Sequence, residues 1–402
     1  MASFAPMQNL VIIGGGPAAL LLAAHLDTRR YRVTLHEQQK TVGRKFLVAG
    51  DGGLNLTYAE PLDQLVARYS PAGLLAPALR TFTNRDLRDW LATLGISTFV
   101  GSSGRVFPDG AYKPYQVLDR IVAAVEANGV VMRTESRWTG WTTDGALQFA
   151  DGTIHDPAIT VFALGGASWR VTGSDGSWRQ PFEARGIDVT PFRSANCAFG
   201  IDWPSSFREA HAGRPLKNIA LRYQQVRTTG ELTVTDFGLE GNAIYPLSEY
   251  LQAALTHGAT PTVELDLKPM LTVARILDKL KNRNRKPSET LRRDLRLDRT
   301  ALALLKQFTD RATFLDKQQL TTRIKALPLR ITAAGPLDEA ISTIGGVAQD
   351  EVDAQFQLKK QPGTYVIGEM LDWYAPTGGY LLQGCFSMGV ALAKHLNTLP
   401  DH

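Results

Sequence analysis

The chain has 402 residues, 44% hydrophobic and 21% charged, with 44 basic and 39 acidic side chains giving a net charge of +5. That composition belongs to an ordinary globular protein with room for one large core and a smaller second one. The charge is too small to argue by itself for a nucleic-acid or membrane-surface protein. Cys197 and Cys385 form neither a C-x-x-C pair nor a zinc spacing. No stretch has the uninterrupted apolar length of a membrane span, and the N-terminus lacks the order of a signal peptide. A cytoplasmic, reduced, metal-free protein is therefore expected.

Leu10-Val11-Ile12-Ile13 predicts a buried parallel strand, Leu20 to Leu26 a helix, and Tyr31 to His36 a second strand ending at Glu37. Between strand and helix, Gly14-Gly15-Gly16-Pro17-Ala18-Ala19 fits the G-x-G-x-x-G/A pattern. Gly14 suits a tight turn, Gly16 a close approach of pyrophosphate, and Ala19 close helix–strand packing. The free N–H groups and positive dipole end of the helix suit phosphate, Pro17 lacks only an N–H that would be unpaired, and Glu37 suits the adenosine ribose hydroxyls. Residues 43–57 read as a glycine-rich loop, residues 75–99 carry helical spacing, and Gly101 to Pro108 reads as a turn into a short strand. Val117 to Asn128 predicts a helix, Val130 to Arg133 a strand, Trp138 to Phe149 a hairpin around Asp144-Gly145, and Ile159 to Ala163 another buried strand.

The texture changes near Pro191. Ile219 to Arg227 and Glu231 to Asp236 are β-like, and a basic helical stretch runs from Arg275 to Arg296, read as the solvated face of helices. Tyr365 to Gly368 then predicts a strand, and Gly378 to Leu392 opens a final helix. The expected organisation is a split cofactor domain, 1–190 and 340–402, around an inserted domain at 191–339. The insert is β-rich at about 191–265 and 320–339 and helical at about 270–319.

Two features favour FAD over NAD. Gly368-Glu369-Met370-Leu371-Asp372 follows a late strand, where Asp372 suits a ribityl chain. Gly378-Gly379-Tyr380 starts a helix whose dipole suits the charge on a reduced isoalloxazine. Ala163-Leu164-Gly165-Gly166-Ala167 ends a strand without repeating the fingerprint, so NAD(P)H is expected only as a transient reductant docking on the flavin. The expected cofactor contacts are Gly14, Gly16, Pro17, Ala18, Glu37, Gln38, Arg44, Lys45, Gly52, Asn55, Leu56, Gly165, Gly368, Glu369, Asp372, Gly378, Gly379 and Tyr380. No motif marks a catalytic residue. Tyr380 and Asp51 are candidates for proton transfer, Tyr112, Lys113 and Tyr115 for the substrate cleft, and Cys385 reads as a buried thiol.

Gly43-Arg44-Lys45-Phe46-Leu47-Val48-Ala49-Gly50-Asp51-Gly52-Gly53-Leu54-Asn55-Leu56-Thr57 resembles the G-R-K-L-L-x-S-G-G-G-R-C-N-L-T signature of the BaiN-like (YhiN-like) NAD(P)/FAD-dependent flavoproteins. Gly104 to Pro108, Ala163 to Ser168 with Gly173 to Gly176, Thr343 to Val347 and Gly368 to Gln383 resemble that family's later motifs, so the resemblance spans nearly the whole chain. The chain resembles a short, divergent branch: Asp51, Gly53 and Leu54 replace Gly, Arg and Cys, and Glu240 and Asn242 replace Ser and Pro of a T-x-x-G-x-S-G-P motif. The resemblance implies a glutathione-reductase-like α/β FAD domain, split by an inserted β-barrel-like domain with a small helical subdomain. In some members it also implies reduction of conjugated carbon–carbon double bonds. The expected function is thus an FAD-dependent oxidoreductase passing hydride between flavin and a small organic substrate. The partner is expected to be that small molecule, with no membrane and no nucleic acid. A flavoprotein acting on nucleic acid, or a flavin-binding regulatory protein without turnover, is the alternative.

Overall fold

The structure, a computed structural model, describes residues 7–50, 53–110, 112–281 and 286–400, and the chain divides into two compact units, 1–193 with 341–402, and 194–340. The first is built on a five-stranded parallel sheet in the order Thr364–Val366, Ile159–Phe162, Gln8–Ile13 (β1), Tyr31–His36 (β2), Val131–Arg133. The four residues of Ile159–Phe162 are all buried, as their unbroken apolar run requires. From β1 the chain crosses through helix α1 (Pro17–His25) to β2 on one side, while Ile159–Phe162 pairs on the other. Strand order reverses at β1, and this switch point opens a crevice at the carboxyl ends of the strands.

Helix α1 is buried from Ala18 through Ala23, so it is apolar nearly all round. It lies under the last helix, Tyr380–Thr398, where a Cβ on Gly389 would sit 2.3 Å from Ala18 O and 2.9 Å from Leu22 N. The two helices therefore touch backbone to backbone, a contact only glycine permits.

Local signals explain where the sequence reading needs correction. Residues 43–57 are not a simple loop: Arg44–Ala49 forms a short helix, α2, entered through Gly43 at φ 68°. The glycines flanking it masked good helix formers inside. The helical pattern of 75–99 is two helices, Ala72–Thr81 and Asn84–Thr93, the second started by a capping box between Thr83 and Asp86. The final helix begins at Tyr380 and runs on to Thr398.

The second unit holds a six-stranded antiparallel sheet ordered Phe199–Gly200, Gly238–Glu240, Val226–Val234, Pro215–Tyr223, Thr262–Asp266, Leu327–Arg330. The run read as one strand over 219–227 is a hairpin, turning at Gln224 with φ 51°. The sheet curls until its edges meet: Gly200 N donates to Ala333 O at 2.8 Å, and Thr332 N donates to Gly200 O at 2.9 Å. This half-barrel leaves little open edge. Between its last two strands the chain forms five helices, from Val273–Leu280 to Lys317–Lys325. No helix among the described residues is long and apolar enough to cross a membrane.

Candidate functional site

The crevice at the switch point is a cleft of 330 Å³ within the first unit. Its floor is the glycine turn after β1. Gly14 has φ 101°, and a Cβ there would lie 2.4 Å from Ala163 O, so the fold itself demands glycine. Gly15 N donates to Glu37 Oε2 at 2.8 Å, and Glu37 Oε1 accepts from Gln39 N at 2.8 Å. Burial pushes the Glu37 carboxyl up, partly offset by these backbone donors.

Gly16 differs in kind. It caps α1 in extended geometry, φ −81° and ψ 178°, which any residue adopts, and no protein atom lies closer than 4.0 Å to its Cβ position. The chain's own packing gives no reason for glycine there; the space beside it belongs to the cleft. The N-terminus of α1 has neither a side-chain cap nor an acid in its first turn. Its N–H groups are left for an anion.

Helix α2 puts two cations on the cleft wall. Arg44 Nη2 donates to Val171 O at 3.4 Å, while its Nε is buried without a partner. Lys45 Nζ donates to Ser168 Oγ at 2.9 Å and Glu369 Oε2 at 3.2 Å. Trp138 Nε1 and His36 Nε2, on two further lining residues, are also buried and unpartnered. Buried polar atoms are nearly always paired, so three such atoms on residues of one cleft set it apart as a polar region. A segment with Trp169 at φ 61° and Gly173 at φ 102° lies along the cleft, and Gln38 Nε2 holds it by donating to Gly173 O at 2.6 Å.

The cleft brings together Gly14, Gly16, Pro17, Ala18, Glu37, Gln38, Arg44, Lys45, Gly165, Gly368 and Glu369 from the expected contacts, with Cys385 beside them. Burial raises the Cys385 thiol well above its usual range, so it stays neutral. Ser136, Trp138 and the Thr172–Trp178 stretch line the cleft as well; sequence reasoning passed over them, although Gly173 to Gly176 lay inside a quoted motif.

The remaining expected contacts that are described, Asn55, Leu56, Asp372, Gly378, Gly379 and Tyr380, are not in the cleft lining. Asp372 Oδ1 accepts from Gly345 N at 2.9 Å, and Glu369 is the carboxylate of that segment that lines the cleft. Asn55 and Leu56 precede the strand Thr57–Tyr58; Asn55 Oδ1 is buried without a partner. Gly378 and Gly379 have φ of 118° and 97°, and a Cβ on Gly379 would meet Thr57 Cα at 2.6 Å, so the last helix starts hard against that strand. Tyr380 stacks on Tyr58 and donates its hydroxyl to Glu60 at 2.7 Å. Burial, then the Glu60 carboxylate, raises the Tyr380 phenol far above its usual range. Asp51 and Gly52 fall outside the described residues. Tyr112, Lys113 and Tyr115 lie at the start of the helix Pro114–Ala127 and do not line the cleft.

His36 offers a pH test of the cleft wall. Its Nδ1 meets Ser136 Oγ at 2.8 Å, and burial, then the nearby His155 and Arg133, lowers its pKa from 6.5 to about 4. The folded state prefers neutral imidazole, so stability present above pH 6.5 is lost as pH falls through the window down to about 4. Between those limits the melting temperature of the apo protein should fall more steeply than that of His36→Phe, which has no group to titrate there. Parallel curves would contradict the assignment.

A family model described as HI0933-like protein Rossmann domain matches residues 8–395. A protein named ribosomal RNA dihydrouridine synthase from Escherichia coli is 26% identical, the match covering 96% of this chain and 98% of that protein. One named 3-dehydro-bile acid delta(4,6)-reductase from Clostridium scindens is 24% identical over 95% of this chain and 97% of its own. Among solved structures, a 3-ketosteroid delta1-dehydrogenase from Sterolibacterium denitrificans shares the fold, with TM-score 0.50 and 12% identity over 97% of this chain and 99% of that one.

Proposed function

Because the chain belongs to the HI0933-like Rossmann family and is an FAD-dependent oxidoreductase, we propose that it reduces a carbon–carbon double bond conjugated with a carbonyl, drawing its electrons from NADH or NADPH. The observation that supports a dinucleotide most directly is the open space over Gly16, beside an uncapped helix N-terminus and the unpaired Arg44 Nε. Among the described residues the parallel sheet carries one such turn, so a nicotinamide has no Rossmann unit of its own. The two relatives' names differ in substrate size, a bile acid against a ribosomal RNA. They share a chemistry: a 4,6-diene beside a 3-oxo group and a uridine ring each hold a double bond conjugated with a carbonyl. Overall, the double bond gains two hydrogens, one as hydride equivalent and one as proton, while NAD(P)H becomes NAD(P)⁺.

FAD, when bound, supplies the hydride chemistry. In this reading α1 and Arg44 hold the diphosphate, and Glu37, fixed by the Gly15 and Gln39 N–H groups, takes the ribose. Lys45, tied to Ser168 and Glu369, is held in place at the cleft wall. The last helix has no acid in its first turn, so its N-terminus at Gly379 favours negative charge. Tyr380 serves packing rather than proton transfer, because its hydroxyl is already given to Glu60. Tyr380→Phe should leave turnover within about threefold of wild type and cost about 1 kcal/mol of stability for the lost hydrogen bond. A loss of about 100-fold in kcat would return Tyr380 to the chemistry.

The test is anaerobic. The purified yellow protein is bleached with NADH or NADPH, then mixed with cyclohex-2-en-1-one or with cyclohexene. Colour should return with the conjugated ketone alone. Equal return with the simple alkene, or return only with a quinone, would overturn the reading.

A further inference from the structure

The net charge of the chain is concentrated in one place. Residues 268–330 hold 17 basic and 6 acidic side chains, whereas the rest of the chain is net acidic. The helices of this segment, and the loop that holds Arg296, leave Arg275, Lys279, Arg292, Arg296, Lys306 and Arg311 exposed, and among the described residues none of the six has an ion-pair partner. The acids that neutralise such a surface elsewhere are already committed. Asp298, Asp310 and Asp316 cap the N-termini of three successive helices, accepting from Ala301 N, Thr313 N and Gln319 N. Asp278 pairs with Lys281, and Glu289 with Arg293. Arg275 and Lys279 stand four apart on Val273–Leu280, one helical turn from each other on the flank next to buried Ile276 and Leu280.

We infer that this helical segment is a docking surface for RNA, its cations neutralising backbone phosphates. The inference rests on the proposed reduction of a conjugated double bond and deepens it, since the uracil ring of an RNA carries such a bond. Unpaired, exposed cations on consecutive helices match a polymer of regularly spaced negative charge, and their release of counterions supplies the affinity. A lipid surface fits less well. A helix lying in a membrane must offer a continuous apolar face, and the apolar face of Val273–Leu280 is spent on the core through Ile276 and Leu280; the exposed large apolar side chains described in the segment are Met270, Val273 and, more than 40 residues on, Leu315.

The experiment uses the full-length, flavin-loaded protein and a fluorescent single-stranded RNA of mixed sequence containing uridine. Anisotropy should report binding that weakens by about 100-fold between about 50 and 200 mM salt, the slope for roughly five phosphate contacts. The variant Arg275→Glu/Lys279→Glu/Arg292→Glu/Arg296→Glu should bind at least tenfold more weakly, with flavin content and turnover of cyclohex-2-en-1-one unchanged. The milder Gln versions at the same positions should fall between. Unaltered RNA binding in both variants would overturn the surface. So would the absence of RNA binding by wild type, or retention on vesicles of anionic phospholipid in place of RNA. If wild type binds RNA through these residues yet reduces no conjugated acceptor, the docking surface stands and the proposed reaction falls.

Discussion

Gly16→Val should give a folded protein that purifies without colour. Gly16 already has the extended backbone of an ordinary residue, and its Cβ position meets no protein atom closer than 4.0 Å. The added side chain would cost the fold about 1 kcal/mol, the penalty for an apolar residue at an N-cap. It would instead fill the space in front of the α1 N-terminus, where a diphosphate must come close to reach the N–H groups of the first turn. FAD affinity should fall by at least about 100-fold, or roughly 2.7 kcal/mol. Flavin absorbance per polypeptide reads the effect, and circular dichroism shows that the fold remains. A variant that stays fully yellow would remove the diphosphate from this turn.

Gly14→Ala, two residues earlier in the same turn, should do the opposite and damage the fold first. Its φ of 101° lies where side-chain-bearing residues are strained, and the new Cβ would sit 2.4 Å from the Ala163 carbonyl oxygen and 2.8 Å from its carbon. Those are backbone atoms of the neighbouring central strand, which cannot rotate away. Strain and overlap together should cost about 3–5 kcal/mol, a large share of a typical domain's stability. Urea unfolding of the apo protein should show a lower midpoint, with little soluble protein at 37 °C. An unchanged midpoint would mean that the turn is looser than its geometry implies. Together the two variants separate a glycine required by the chain from one required by its ligand.

That separation also marks how far the amino-acid sequence could be read. The spacing of Gly14, Gly16 and Ala19 ahead of Glu37 located the turn and both strands, because all of it is local: β2 spans Tyr31–His36, as its pattern predicts, whereas the bond from Gly15 N to the Glu37 carboxylate shows only in the structure. Local pattern could not separate the roles of Gly14 and Gly16, because the difference lies in Ala163, about 150 residues away. The same distance hid Ser136, Trp138 and the stretch around Gly173, which the sheet order and the Gln38 amide bring to the cleft without any motif near Gly14. Asp372 carries a contact the sequence did not show: its Oδ1 accepts from Gly345 N, a residue 27 positions earlier. The half-barrel was legible as β texture in 219–227 and 231–236, whereas its closure depends on Gly200 meeting Thr332 and Ala333, a pairing that only the tertiary fold makes.

The notch at Gly389 has a mechanical consequence. Because the last helix rests directly on the main chain of α1 at Ala18 and Leu22, the two helix starts, at Gly16 and at Gly379, belong to one stiff frame whose span is set when the chain folds. The separation of those two helix starts is inherited from core packing rather than from any ligand, whereas the Trp169–Gly173 segment is tied to the cleft through a side chain, Gln38 Nε2 donating to Gly173 O.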